Sequence, residues 1–247
     1  MVKILMARPS PEEFAKHRAQ EPHKLENSLR DVILGGQDGL VNALGIILGV
    51  LVGGGNTHIL ITTVLAASIA ESLSMGAVAY TSAISQKDYY EAEKKKALKE
   101  IEDSPAMEIE EVRQIYEKKG FKGKVLEEIT QTISSNKDIW LEIMMAEELH
   151  IEPVNTKRVF KSSIVVTIAT AIGHLIPLIP FFFVVSNQEA LILSIGFSAA
   201  SLFAVGAYQA LTLVGSWWKN GLRLMLIGLA AAFIGYFIAK IFHVSAA

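Results

Sequence analysis

Two carboxylates stand inside stretches that are otherwise apolar, each with a softer donor one helical turn away. Asp38 is flanked by Gly35, Gly36 and Gly39, and Asn42 follows it by four residues. Glu71 lies near the middle of a second apolar stretch, and Met75 follows it by four. Residues four apart share a helix face. A charged group in hydrocarbon costs at least about 2.5–3.5 kcal/mol on the insertion scale, so such residues mark pathways or binding sites. Neither acid has a Lys or Arg within its own stretch to neutralise it. At about 1.5 Å per residue from the charged end of each stretch, Asp38 lies about 9 Å deep, Asn42 and Met75 about 15 Å, and Glu71 about 21 Å. Running antiparallel, the two helices would form a ladder of oxygen and sulfur donors. Carboxylates take hard and borderline cations and a thioether favours softer ones, so the mixture fits a borderline divalent ion such as Fe2+ better than Ca2+ or Mg2+.

A second constellation lies in the charged middle of the chain. Glu100, Glu108 and Glu111 belong to two successive helical stretches, and Met144 and Glu148 are four apart on another. Glu-rich helices are usually solvated faces laced with Lys, and Lys94, Lys95, Lys96 and Lys99 invite that interpretation. Glu147-Glu148-Leu149-His150 contains one Glu-x-x-His. A di-iron carboxylate centre needs two, with two further Glu, and no second copy occurs. His174, with Pro177 and Pro180, is expected to shape a kink rather than to bind, because the prolines remove backbone donors. Gly53-Gly54-Gly55 is a turn and not a phosphate loop, since no Lys-Ser/Thr follows it.

The elements that must carry these groups are set by the distribution of charge. The 247 residues have a mean hydropathy of +0.37 and a net charge of -2. Five windows are long and apolar enough to cross a bilayer, which takes roughly 20 residues: 32–54, 58–84, 162–185, 190–214 and 221–243. A soluble protein does not segregate charge from apolar residues five times over. Lys3, Arg8, Lys16, Arg18, Lys24 and Arg30 precede the first window, fourteen Lys and Arg lie between the second and third, and Lys219 and Arg223 lie between the fourth and fifth. The two hairpin links carry none. Positive charge marks the cytoplasmic side, which puts the N-terminus and the 85–160 segment in the cytosol and the C-terminus opposite. Trp217, Trp218 and Lys219 read as an interfacial anchor.

The expected fold is therefore all-α: a polytopic membrane protein of five transmembrane helices with a small helical cytoplasmic domain between helices 2 and 3. Its segments are 1–31, amphipathic or mobile on the cytoplasmic side; 32–84, helices 1 and 2; 85–160, the cytoplasmic domain; and 161–247, helices 3 to 5. Within 85–160, helices are expected at 87–103, broken by Ser104-Pro105; at 107–119, closed by Gly120; at 124–135; and at 138–150, capped by Asn136 and stopped by Pro153. In 10–30, Phe14, Leu25 and Leu29 could lie against lipid.

The chain resembles the vacuolar iron transporter family, as a prokaryotic-type member. The resemblance rests on Leu29-Arg30-Asp31-Val32-Ile33-Leu34-Gly35 with Asp38-Gly39, on Ser74-Met75-Gly76, on Trp140-Leu141-Glu142-Ile143-Met144-Met145 with Glu148-Leu149, and on His174-Leu175-Ile176-Pro177-Leu178-Ile179-Pro180. It runs from about residue 28 to the end. It implies a homodimer of five-span protomers that exports Fe2+ from the cytosol in exchange for protons, with other divalent ions such as Mn2+ as further substrates. It implies metal binding by the cytoplasmic domain at Glu100, Glu108, Glu111, Met144 and Glu148, and a pore that includes Asp38 and Met75. Two positions depart from the family pattern. Its pore Glu falls here on Ala67, one turn before Glu71. A Glu expected three residues before Glu100 is Ala97, for which Glu93 is the candidate substitute.

These residues together favour a proton-coupled divalent metal transporter integral to a membrane, the cell membrane in a prokaryote. Its path is Asp38, Asn42, Glu71 and Met75, and its metal-collecting site is Glu93, Glu100, Glu108, Glu111, Met144 and Glu148. The alternative is a membrane-anchored metal-binding or sensing protein without transport. The chain has no Cys, which excludes disulfides and thiolate sites. No nucleophile and base combination points to an enzyme, no organic cofactor is implied, and no basic excess points to nucleic acid. The expected partners are a second copy, membrane lipid and protons as the counter-ion. Gly35, Gly36, Gly39 and Gly45 are small enough to admit a second copy closely.

Overall fold

The computed structural model describes residues 10–20, 25–212 and 215–246, and every regular element among them is helical. The helices are α1 (Pro11–Gln20), α2 (Leu25–Val52), α3 (Thr57–Asp103), α4 (Pro105–Lys118), α5 (Lys124–Ser134), α6 (Lys137–Ile143) running into a π turn (Met144–Glu148), α7 (Thr156–Leu178), α8 (Pro180–Phe183), α9 (Asn187–Thr212) and α10 (Trp217–Ala246). They group into two compact units, one of residues 1–76 with 162–247 and one of residues 77–161. Of the N-terminal segment, Phe14 on α1 is exposed, and the side chain of Leu25 lies outside the described residues.

The first unit holds α2, α9 and α10 with the first part of α3 and most of α7, the five described helices that are long and apolar enough to cross a membrane. Its outward surface is rich in large apolar side chains, among them Ile69, Leu73, Ile192, Leu226 and Phe237, each more than half exposed. A soluble monomer does not tolerate that much apolar surface. Inside, Ala43, Ile47, Leu60, Val64, Leu178, Phe181 and Ala190 form one core, and Leu44, Leu48 and Ala232 another. Much of the remaining packing is backbone against backbone. On α9, Ala190, Ser194, Ser198, Leu202, Gly206 and Ala210 are buried at four-residue spacing, the stripe of mostly small residues by which helices approach in lipid.

The hairpin links are built by local chemistry. Gly54 takes the left-handed conformation that the first link requires, at φ 77°. Asn56 then caps α3, its side-chain oxygen accepting from the Ile59 N–H at 2.9 Å. Thr57 donates to the Asn187 side chain at 2.7 Å, which ties this link to the one that opens α9.

Several boundaries differ from expectation. The second window does not end at 84. The helix continues as one rod of 47 residues, about 70 Å at the α-helical rise, because nothing between Ile84 and Asp103 breaks it and Glu, Lys and Ala all favour helix. The third window starts earlier and stops sooner. Asn155 accepts from the backbone of Lys157 and Arg158 to open α7, and Pro177 in its last turn is followed one residue later by the end of the helix, with Pro180 starting α8. Ser104 precedes α4 without a side-chain capping bond, and Pro105 at the first helical position starts that helix.

The second unit has its own core of Ala97, Ile101, Val112, Ile133, Trp140, Leu141, Met144 and Met145. Leu126, Thr130 and Ile133 recur at helical spacing to bury one face of α5. Asn136 caps α6 as expected, accepting from the N–H groups of Asp138 and Ile139. Asn136→Ala is expected to cost this unit about 1 kcal/mol, seen as a lower midpoint in the thermal melt of the full chain. Gly120 follows α4 with φ 100°, the left-handed residue that ends a helix.

Candidate metal centres

The first candidate site is assembled by α2, α3 and α7, which come close because their contact residues lack side chains. A Cβ on Gly35 would sit 2.6 Å from the Val166 carbonyl oxygen, one on Gly39 would meet the Thr170 carbonyl and lie 2.9 Å from His174 Nδ1, and one on Gly76 would run into Thr167. The glycines of α2 foreseen as a dimer surface are thus spent in part within the chain: Gly35 and Gly39 face α7, while Gly45 has nothing within 4 Å of its Cβ position. Gly39→Ala is expected to force these helices apart at a cost of about 1–3 kcal/mol, measured as a lower melting temperature in detergent.

Glu71 is the hub of this site. One of its carboxylate oxygens accepts a hydrogen bond from the Asn42 amide. The other lies 3.0 Å from His174 Nε2. Asp38 is a further hydrogen-bonding and charged neighbour of the same carboxyl. His174 is fully buried and Glu71 is 22% exposed. On its far side, His174 Nδ1 lies 2.9 Å from the Thr170 carbonyl oxygen. Met75 lies one turn further along α3, partly buried.

Three of the four path residues foreseen from sequence, Asp38, Asn42 and Glu71, are therefore brought together. The depth estimate had placed Glu71 about 6 Å beyond Asn42, whereas the two are hydrogen-bonded. The offset came from counting inward from residue 84, where α3 has no end. His174 was expected only to shape a kink. It is instead a direct neighbour of Glu71. The available signal was the one used for the acids: a polar, titratable side chain inside an apolar span carries a cost that needs a partner.

The second candidate site lies wholly in the other unit. Glu108 and Glu111 on α4 and Glu148 on the π turn each offer one carboxylate oxygen, and these atoms lie within 4.8 Å of one another. Glu108 is buried, Glu111 half-buried and Glu148 exposed. Removal of the Glu148 carboxyl from water, and then the charges of Glu111, Glu108 and Glu100, push its pKa up to about 7. Burial, then Glu111 and Glu100, raise that of Glu108. Like charges this close hold protons because nothing else neutralises them. A divalent cation accepted by the oxygens would do so, and an all-oxygen set suits hard or borderline ions.

The π turn positions Glu148. Leu149 N–H bonds back to the Met144 carbonyl at 3.1 Å and Ile151 to that of Met145 at 3.0 Å, widening the last turn of the helix as π segments at functional sites do. Of the six expected residues, Glu108, Glu111 and Glu148 converge, and Glu100 is a charged neighbour of Glu108 and Glu148. Met144 is 2% exposed and belongs to the apolar core. Glu93 does not join the carboxylate group, and it pairs with Lys96 at 3.8 Å. Ala97, at the position of the missing Glu, is buried in the same core, so apolar packing replaces a ligand there. Glu147 pairs with Lys119 at 2.5 Å and His150 turns back onto the Ala146 carbonyl, so the lone Glu-x-x-His does not converge.

Residues 29–240 match the model of the VIT family. The chain is 27% identical to Vacuolar iron transporter 1 of Tulipa gesneriana over 232 residues, 94% of each chain. It is 28% identical to Vacuolar iron transporter 1 of Oryza sativa subsp. japonica over 225 residues, 91% of this chain and 89% of the relative. With the Vacuolar iron transporter of Plasmodium falciparum it shares 32% identity over 166 residues, 64% of this chain and 59% of the relative. The matched stretch contains both clusters of acids, and the chain belongs to the VIT family.

Proposed function

We propose that this chain moves divalent metal ions, Fe2+ and also Mn2+, out of the cytosol across a membrane in exchange for protons. The observation that carries the proposal is the convergence of Asp38, Asn42, Glu71 and the buried His174 within helices otherwise apolar enough to span a bilayer. Each carboxylate there is expensive without a function, and together they offer oxygen donors to a cation that has shed its water. A carboxylate that binds a cation in one state and a proton in another exchanges the two. The names of the relatives specify iron, and the donor set fits a borderline ion of that kind.

In this proposal residues 85–160 form a cytoplasmic domain whose Glu100, Glu108, Glu111 and Glu148 collect the ion, on the side marked by Lys and Arg. The C-terminus lies on the opposite side, and two copies assemble as a homodimer. The test is Fe2+ uptake by proteoliposomes containing the full chain. Uptake above that of empty vesicles supports transport. Metal bound to the protein with no accumulation in the lumen leaves a membrane-anchored metal binder and defeats the proposal.

A further inference from the structure

The geometry points to His174 as a nitrogen ligand of the transported ion, completing a histidine–carboxylate site with Glu71 and Asp38. This inference rests on the transport proposal and specifies the chemistry of its site.

The two ring nitrogens of His174 have different neighbours. Nδ1 lies 2.9 Å from the Thr170 carbonyl oxygen. A carbonyl can only accept, so Nδ1 carries the hydrogen and donates it. In the neutral ring Nε2 is then the nitrogen with the free lone pair. That lone pair lies 3.0 Å from a carboxylate oxygen of Glu71. Two acceptor atoms at that distance repel unless a proton or a cation lies between them. The ring is also oriented as a metal ligand is: a ligating His characteristically donates its other N–H to a carbonyl or carboxylate, which fixes ring and tautomer.

The surroundings hold that orientation. His174 is fully buried. The nearest approach of α2 is at Gly39, where a Cβ would come within 2.9 Å of Nδ1, so a larger residue would displace the ring. Asn42 donates to the other oxygen of Glu71, which orients the carboxylate towards Nε2. Among the described residues no Lys or Arg pairs with this group; Asp38 is a charged neighbour, and it adds a third donor.

An imidazole in the path has a chemical consequence. Imidazole ligation suits Fe, Ni, Cu and Zn, whereas carboxylate and water suit Mg, Ca and Mn. The site should therefore favour Fe2+ and Co2+ over Mn2+ and discriminate against Mg2+ and Ca2+.

Pulsed EPR of Mn2+ bound to the full-length protein reads this directly, since a coordinated imidazole gives a 14N hyperfine coupling. The acidic cluster of the second unit offers oxygen, so its bound Mn2+ contributes no such signal, and a variant combining His17→Gln, His23→Gln, His58→Gln, His150→Gln and His243→Gln controls for the five histidines outside the site. The expected result is a 14N coupling in the wild type and in the fivefold control, lost in His174→Gln. In vesicles, His174→Gln should lower Fe2+ and Co2+ flux about tenfold relative to Mn2+ flux, a bias that a general loss of packing does not produce. A flux-competent wild type with no 14N coupling, or a coupling that persists in His174→Gln, overturns the assignment and leaves transport intact. A wild type with no flux for any of these ions removes the transport proposal itself. Should His174→Gln not fold, the wild type and fivefold control still decide: coupling in both supports the assignment, and its absence from either defeats it.

Discussion

Glu71→Gln is expected to abolish metal flux while leaving the fold intact. The substitution keeps size and shape but removes the charge at the one side chain that touches Asn42, His174 and Asp38. The Gln amide can satisfy the same network: its oxygen accepts from Asn42, and its NH2 donates to the free ring nitrogen of His174. Stability should therefore change little, with a melting temperature in detergent close to that of the wild type. Binding of a divalent cation is different, because a neutral amide is a poor substitute for a carboxylate ligand. Groups that merely orient metal ligands are worth roughly 10–100-fold, and loss of the ligand itself should exceed that. Asp38→Asn is expected to act in the same direction, less severely. The measurement is Fe2+ uptake by proteoliposomes reconstituted at matched protein density. Flux from Glu71→Gln within twofold of wild type would mean that the buried acid serves structure only.

The second large effect concerns pH and the carboxylate cluster of α4 and the π turn. Glu148 titrates near 7 in the folded protein against an ordinary value of 4.5. Between those values the folded chain holds a proton that the unfolded chain has released. Rising pH therefore lowers the stability of the metal-free protein, beginning above about 4.5 and complete above about 7. Metal affinity should move the other way, climbing through pH 6 to 8 as Glu148 gives up the proton with which a cation competes. In a Glu71→Gln background, which silences the membrane site, Mn2+ binding to the full chain should strengthen steeply across that range. Adding Glu148→Gln should flatten the dependence and weaken binding at pH 8 by at least about tenfold. Glu148→Gln should also remove most of the pH-dependent loss of stability. A binding constant independent of pH between 6 and 8 would show that Glu148 takes no part.

Hydropathy and the placement of Lys and Arg made the helices of the membrane unit legible, since the bilayer length rule and the scarcity of charge act on every residue of a span. Local capping was legible where one side chain decides it, as at Asn136. What sequence reasoning lacked was partnership across helices. Glu71 and Asn42 were correctly placed on facing helices, but His174 is 103 residues from Glu71, and only the packing of Gly39 and Gly76 against α7 brings the imidazole to the carboxylate. The continuity of α3 was not legible from hydropathy, because the apolar run gives way to charge near residue 84 while helix propensity continues to Asp103. Nothing in local propensity marks the π turn at Met144–Glu148, which depends on how the end of α6 packs against its own unit. Glu93 shares a face of α3 with Glu100 two turns away, yet the convergent group is Glu108, Glu111 and Glu148, and Glu93 pairs with Lys96.

The central claim is that metal leaves by exchange with protons through the site around Glu71, and the most direct measurement is Fe2+ uptake by proteoliposomes that enclose a pH-sensitive dye, with and without an imposed proton gradient. Uptake that increases when the lumen is acidic, accompanied by alkalinisation of the lumen that requires Fe2+ and disappears in Glu71→Gln, is the predicted result. Uptake indifferent to the gradient and without any movement of protons would contradict it.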